Sequence, residues 1–319
     1  MKRYTFQLIL CVLTLCLPSL ANAQSCSAAA SAISFGNVSP ISLSAVDTTG
    51  TITVTCTWPK NTTTPNVLVC LNQNVATPLD LKHGSNTMQY GLYQDGAYSI
   101  MWGSVSNGTT PISLTLTKPS TSTSTSQAVT IYGQITANQP TVPTAGNAST
   151  SYTESFSGTN ATITYGFYSS AEPSCSSLSS SKHVTFTASA TVINDCNINA
   201  TNVTFAATSV TTTALNATGS ITAQCTSGDA WRIALNGGSS GSVTAREMQR
   251  SGGGGTISYQ LYTNSTHSQI WGDGTSGTTM ETGTGTGNSV VLTVYGEVPS
   301  QTTPLPGSYS DTITATISF

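Results

Sequence analysis

Charge is what this chain has least of. Of its 319 residues 9 are Lys or Arg and 12 are Asp or Glu, 7% in all, against about a quarter in an ordinary soluble domain. With no basic run there is nothing to neutralise a phosphate backbone, which excludes nucleic acid as a partner. Three His, at 83, 183 and 267, and a thin scatter of carboxylates leave little material for acid–base or metal chemistry. No C-x-x-C pair argues for zinc. No serine sits in the strand–turn–helix context of a nucleophile elbow. The Gly252–Gly255 run and TGTGTG at 282–287 read as loops, because a phosphate-cradling loop needs a helix behind it and none is predicted. The chain is therefore expected not to be an enzyme and to hold neither cofactor nor metal. Disorder is excluded too, since 37% of the residues are hydrophobic. Beyond the N-terminus no run reaches the roughly 18 apolar residues of a membrane span.

What is present is Thr, Ser and Gly interleaved with β-branched apolar residues. The N-terminus carries Lys2 and Arg3, an apolar run from Phe6 to Leu17, Pro18, and then Ala21-Asn22-Ala23. These are the parts of a secretory signal over residues 1–23, with a mature start at Gln24. Its removal leaves six cysteines, Cys26, Cys56, Cys70, Cys175, Cys196 and Cys225. An even count in an exported chain favours disulfides over metal.

An internal repeat organises the rest. Cys26 and Cys56 are 30 residues apart and Cys196 and Cys225 are 29 apart, each second Cys closing a similar strand, TGTITVTC or TGSITAQC. MQYGLYQDGAYSIMWG (88–103) lines up with ISYQLYTNSTHSQIWG (257–272), and VTIYGQI (129–135) with LTVYGEV (292–298). Trp102 and Trp271 each lie 46 residues past the second Cys, a shared position that reads as core packing. The Ser-rich stretch at 169–182 separates the halves, giving domains 24–180 and 181–319. Each half shows short alternating strands between Gly, Asn, Pro and Ser clusters, which predicts two immunoglobulin-like β-sandwiches. In the second, strands are expected at 184–193, 219–225, 231–236, 256–263, 289–298 and 309–319, about one fewer than a complete seven-stranded sandwich.

FTASATVINDCNI around Cys196, TGSITAQC, YQLY followed by IWGDGT, VLTVYGEV with PLPGSYSDT, and the alternating end DTITATISF together resemble the spore coat protein U domain. That domain is the pilin module of archaic (Csu-type) chaperone–usher pili, and the resemblance covers nearly the whole mature chain. It implies an all-β fold whose C-terminal sandwich lacks its last strand. A periplasmic chaperone lends that strand, an outer-membrane usher passes the subunit on, and an adjacent pilin then donates its own. Ile313, Ala315, Ile317 and Phe319 would border the groove that receives it.

A two-domain chain resembles the tip adhesin of such pili more than a shaft pilin. After cleavage only Gln24 and Ser25 precede Cys26, too little for a donor strand, so the chain is expected to receive a strand and not to give one. SYTESF (151–156) aligns with SYSDTI (308–313), yet the first domain continues with NATITYGFYS (160–169). With Ile163, Tyr165 and Phe167 on one face, that continuation is expected to complete the first sandwich within its own chain. By the repeat, Cys26 pairs with Cys56 and Cys196 with Cys225, leaving Cys70 for Cys175. That assignment rests on the repeat, since spacing alone does not fix connectivity.

The resemblance also implies adhesion through apolar loops at the distal end of the first domain. Two loops depart from the repeat there: 57–69, with Trp58, Pro59 and Pro65, and 135–150, with Pro140, Val142, Pro143 and Ala145. The stretch with Ala97, Tyr98, Ile100 and Met101 is a third candidate. The expected function is that of an exported, cell-surface tip adhesin mediating attachment to an abiotic or host surface and biofilm formation. The alternatives are a secreted structural coat or pilus shaft protein, which would need a donor segment, and a glycan-binding lectin-like adhesin, which would need a polar pocket with aromatic platforms.

Overall fold

A computed structural model describes residues 24–319; the signal segment read at 1–23 lies outside the described residues. The first sandwich contains, in chain order, β1 (Ser25–Ala30), β2 (Ile33–Val38), β3 (Val46–Thr57), β4 (Asn66–Gln73), β5 (Leu79–His83), β6 (Asn86–Tyr93), β7 (Ile112–Thr117), β8 (Ser124–Ile135), β9 (Thr150–Phe156), β10 (Ala161–Tyr168), β11 (Ser180–His183) and β12 (Phe186–Val192). The second contains β13 (Cys196–Ala200), β14 (Leu215–Cys225), β15 (Ala230–Leu235), β16 (Arg246–Arg250), β17 (Thr256–Tyr262), β18 (Glu281–Thr284), β19 (Ser289–Val298), β20 (Tyr309–Ser310) and β21 (Ala315–Ser318). The fold is thus all-β, as the composition predicts.

In the first sandwich an eight-stranded sheet, β1-β3-β8-β6-β5-β9-β12-β2, faces a four-stranded one, β11-β10-β4-β7. The strands alternate as their sequences do: β3 buries Ile52, Val54 and Cys56 and turns Thr51 outward. The chain course β1–β2 switches partners, pairing first with β3 and then, in parallel, with β12. Ile33 then lies over Gly50, where a Cβ would stand 2.6 Å from its Cγ1, so only glycine permits that approach. In the second sandwich the sheets are β13-β14-β19-β17-β16-β20 and β18-β15-β21.

All three disulfides form as the repeat assigns them: Cys26–Cys56, Cys70–Cys175 and Cys196–Cys225. The two repeat pairs join residues directly opposite each other in β1–β3 and β13–β14. Loops of about 30 residues closed in this way are worth roughly 3 to 4 kcal/mol each in the chain-entropy model. Trp102 and Trp271 are fully buried, and each indole N–H donates to a carbonyl of the facing sheet, Leu71 at 3.0 Å and Ile233 at 2.9 Å.

Several expectations are corrected. The strand expected to open the second domain at 184–193 belongs to the first sandwich, where β12 pairs antiparallel with β9 and parallel with β2. Its Phe186, Ala188, Ala190 and Val192 are buried in the first core. The chain therefore leaves the first sandwich after Val192, not near residue 180. Nor is 160–169 the added strand: β10 pairs with β4 in the same register as β21 with β15, Ala161–Tyr165 matching Ala315–Phe319. A four-residue turn, Ser157–Asn160, stands where the second half has only Thr314, and it hides this match.

The single strand expected at 309–319 is two, β20 and β21, in opposite sheets. Residues Glu281–Thr284 of the Gly-rich stretch form β18 rather than a loop, because a Cβ on Gly283 would lie 2.3 Å from the Trp231 ring. Charged β16 is read by no alternation. Its Arg246 is fully buried, donating to the carbonyls of Leu235, Asn236 and Trp271 and to the Gln260 side chain, at the place Leu79 takes opposite Tyr90 in the first sandwich.

The two sandwiches meet through the loop 139–150. Thr144 N donates to Ser227 O at 2.9 Å, Asn147 Oδ1 accepts from Ala230 N at 2.7 Å, and Pro143 bridges to Ser227. Ser39 Oγ donates to Asp195 Oδ2 at 2.6 Å. Asp229 is enclosed at this junction; its Oδ1 accepts from Thr144 Oγ1 and from Asn194 Nδ2, while Oδ2 has no partner among the described residues.

Two outcomes follow. A fragment of residues 24–194 should fold alone, whereas one ending at Ser180 should not. The shorter fragment loses Val184, Phe186 and Val192 from the core at roughly 1.5 to 3 kcal/mol each, a total comparable with the whole stability of a domain; urea denaturation of the two fragments checks this. Burial pushes the Asp229 carboxyl up, against the Thr144 hydrogen bond. A carboxyl with a folded pKa above its unfolded value costs stability while ionised, and the cost is lost as pH falls through the folded pKa. Asp229→Asn should therefore raise Tm most near pH 7, with the gain over wild type shrinking as the pH is lowered; a gain independent of pH would count against it.

Candidate functional site: an open groove in the second sandwich

The repeat lets each position of the second sandwich be compared with a completed example in the same molecule. Register fixes the equivalences. Ala161 and Ile163 correspond to Ala315 and Ile317, facing Gln73 and Leu71 or Leu235 and Ile233. Tyr152, Glu154 and Phe156 correspond to Tyr309, Asp311 and Ile313: Tyr90 OH donates to Glu154 Oε2 at 2.6 Å, and Tyr259 OH to Asp311 Oδ2 at 2.7 Å. Ile33 and Phe35 correspond to Val203 and Phe205. A Cβ on Gly219 would meet Val203 at 2.9 Å, as one on Gly50 meets Ile33, and Thr201 N bonds Ser220 O as Ser31 N bonds Thr51 O.

In the first sandwich Ile33, Phe35, Tyr152, Phe156, Ala161 and Ile163 are all buried. In the second Val203, Phe205, Tyr309, Ile313, Ala315 and Ile317 are all half-exposed. The difference is β12. Its backbone fills the space between β9 and β2, and its Phe186 stacks on Phe156 with ring centres 4.3 Å apart. Among the described residues nothing takes that place between β20 and the 203–205 segment, which carries no strand partner on that side. The result is an apolar groove running between the sheets, where Tyr309 and Ser310, paired with β16 on one side, have no strand partner among the described residues on the other.

Of the groove residues expected from sequence, Ile313, Ala315 and Ile317 line it, while Phe319 lies at its rim, 48% exposed. Tyr309 lies in the strand expected to border the groove, whereas Val203 and Phe205 join it without having been expected from sequence. The signal for them was present, since V-x-F begins seven residues after Cys196 as I-x-F does after Cys26. Electrostatics at the groove floor are fixed by Asp311. Burial pushes its carboxyl up, but hydrogen bonds from Ser239 and Tyr259 outweigh that and hold it below the ordinary carboxylate range. Burial and the bond to Asp311 raise the Tyr259 hydroxyl, which stays a donor.

The expected adhesion loops fare unequally. Trp58 is 1% exposed and packs edge-to-face on Phe167 at 5.6 Å; it is a core residue, with Pro59 and Pro65 half-buried beside it. Gln24 bonds Thr62 and Thr64 across that loop. Val142 belongs to the first core, and Pro140 and Pro143 pack at the junction with the second sandwich, where Gly287 comes against Pro140 O. Ala145 is exposed beside them. This loop is a clamp between sandwiches, not a distal finger. The third stretch remains a surface: Asp95 caps a turn by accepting from Ile100 N at 2.8 Å and from Ser99 Oγ at 2.8 Å. Tyr98, at φ 54°, leans on Tyr93 and Tyr132, and Ile100 and Met101 are 51% and 40% exposed. The same turn in the second sandwich presents His267 and Gln269 instead.

Comparison with known proteins agrees with this repeat. Residues 13–159 and 182–316 match the Spore Coat Protein U domain. Protein U of Myxococcus xanthus is 37% identical over 108 residues, 32% of this chain, and the chain spans 59% of that protein's length. Among solved structures, a chain of the CsuC-CsuE chaperone-tip adhesion subunit pre-assembly complex from archaic chaperone-usher Csu pili of Acinetobacter baumannii superposes with a TM-score of 0.51. It is 14% identical, with 92% of this chain and 100% of that one covered, a likeness of fold. Both halves of the repeat, and most of the sequence, thus fall within one family: this chain belongs to the Spore Coat Protein U domain family.

Proposed function

We propose that this chain is an exported subunit of a chaperone–usher pilus, placed at the tip, whose second sandwich is completed by a strand from another protein. The observation that carries this is the six-residue contrast between the sandwiches: the same apolar positions are covered by β12 in one and open in the other. Open apolar edges invite aggregation unless they are covered. Strand addition answers both needs, since its backbone bonds pair the free edge and its alternate side chains fill the groove. A periplasmic chaperone would supply that strand first and a neighbouring pilin later, with an outer-membrane usher between. The fold match to a chaperone–tip adhesin complex is in keeping with this order. The first sandwich, complete in itself, is free to act as the adhesive unit on an abiotic or host surface and so to support biofilm formation.

Ile313→Asp combined with Ile317→Asp should abolish co-purification with a co-expressed cognate chaperone and leave the chain degraded, while the 24–194 fragment accumulates without any chaperone. Stable accumulation of the double variant would overturn the acceptor reading. For adhesion, the surface that remains is Ile100 with Met101. A few such side chains give only a few kcal/mol per contact at about 25 cal/mol per Å², so useful strength comes from many pili acting together. Ile100→Asp with Met101→Asp should reduce attachment to hydrophobic plastic without changing piliation. Attachment that survives both changes and is blocked by a simple sugar would favour the glycan-binding alternative.

A further inference from the structure

The second sandwich holds an acid where the first holds a core valine. Leu71 and Ile233 occupy equivalent register positions, so four residues earlier Asp229 corresponds to Val67. Both are fully buried, on the inward side of their strands. Val67 lies opposite Leu116 in the β4–β7 pair, whereas beside Asp229 stands Gly285, whose N–H donates to the Asp229 carbonyl at 2.7 Å. What covers the Asp229 carboxyl is the first sandwich. Thr144 reaches it from the clamp loop by passing close over Gly228, where a Cβ would stand 2.8 Å from Thr144 O.

Asp229 is also where the clamp meets the connection between the sandwiches. That connection is three residues, Ile193, Asn194 and Asp195, from the end of β12 to the start of β13. Asn194 Nδ2 donates to Asp229 Oδ1 at 3.0 Å, and Thr144 Oγ1 donates to the same oxygen. Oδ2 is enclosed with no partner among the described residues. The clamp loop, the 36–44 turn, the connection and residues 225–228 and 281–288 contain no Lys, Arg or His. The titratable groups on those elements are acids: Asp195, whose Oδ2 accepts from Ser39 at 2.6 Å, and Glu281, half-buried opposite Ile233. Arg232, on the same strand side as Asp229's successors in β15, is exposed. No cation on these elements offsets a negative charge on Asp229.

An ionised carboxylate enclosed in this way, with one oxygen lacking any donor, is costly. Two changes relieve it: a proton on the carboxyl, or withdrawal of the clamp loop, which admits water. Docking and protonation therefore favour each other, as linked equilibria must. We infer that the contact between the two sandwiches is a pH-set hinge, closed over Asp229 when that residue is neutral and loosened when it is charged. Burial raises the docked carboxyl against the Thr144 bond, while an undocked one returns to the ordinary value of about 4. Docking is therefore strongest below that ordinary value and weakens as pH rises toward the docked one. Within that window the docked-to-undocked ratio falls by up to about tenfold per pH unit. The hinge sets how rigidly the first sandwich is carried on the second.

The test is hydrogen exchange of the mature chain from about pH 4 to about pH 8, read by mass spectrometry and corrected for the intrinsic pH dependence of amide exchange. Peptides covering 139–150 and 226–231 report the clamp, through the Thr144 and Ala230 N–H groups bonded across the junction. A peptide covering 257–272 reports the second sandwich alone. In the wild type, protection of the two clamp peptides should fall as pH rises, by up to about tenfold per unit, with 257–272 unchanged. Asp229→Asn keeps an acceptor for Thr144 and carries no charge, so it should hold the clamp peptides at their low-pH protection throughout. Asp195→Asn should respond as the wild type does. Clamp protection independent of pH in the wild type, or a pH response that survives Asp229→Asn, would overturn the hinge. Loss of the response in Asp195→Asn would overturn the assignment to Asp229. A parallel fall in 257–272 would show the second sandwich loosening as a whole and overturn undocking as the event.

Discussion

Everything in this molecule turns on one strand position, the slot between β9 and β2 in the first sandwich and its counterpart in the second. A strand there does two jobs at once. Its backbone pairs with both neighbours, and its alternate side chains close the apolar space between the sheets. Where β12 occupies the slot, Phe156 and Ile163 are sealed; where no described residue does, Ile313 and Ile317 remain half-open. Since burial of apolar surface is the main favourable term in folding, the two sandwiches differ in how much of that term their own strands supply.

The junction follows from the same arrangement. β12 ends against Val38, and the chain passes through residues 193–195 straight into β13, so the second sandwich begins where the first is sealed. The clamp loop then fixes the contact through Thr144, Asn147 and Asp229. Segments that diverge most from the repeat are used here, for packing one unit on the next. That is why Val142 and Pro143, which look like candidates for a surface role, are structural.

Much was legible from local pattern. The near-equal spacing of the cysteines, 30 and 29 residues, and the matching positions of Trp102 and Trp271 carried the disulfides and the buried indoles, because strands opposite one another in register constrain those separations. The Ile, Val and Thr alternation carried the sandwich class. Glu281–Thr284 and Arg246–Arg250 were not legible, since one strand needs Gly283 for close approach to Trp231 and the other buries a guanidinium on carbonyls. Neither leaves an alternating apolar trace.

The sequence by itself determined that the chain is a charge-poor β protein built from a doubled unit, and which cysteines belong to which unit. Only the tertiary structure decided which unit owns the segment 184–192 and which side chains face solvent. A strand's affiliation is set by the edge it pairs with, and that edge lies some thirty residues back at β9 and far earlier at β2, whereas in sequence the segment adjoins Cys196. For the same reason Trp58 and Ile100, alike as apolar loop residues, part ways: one is buried against Phe167 across the sandwich and the other stays half-exposed.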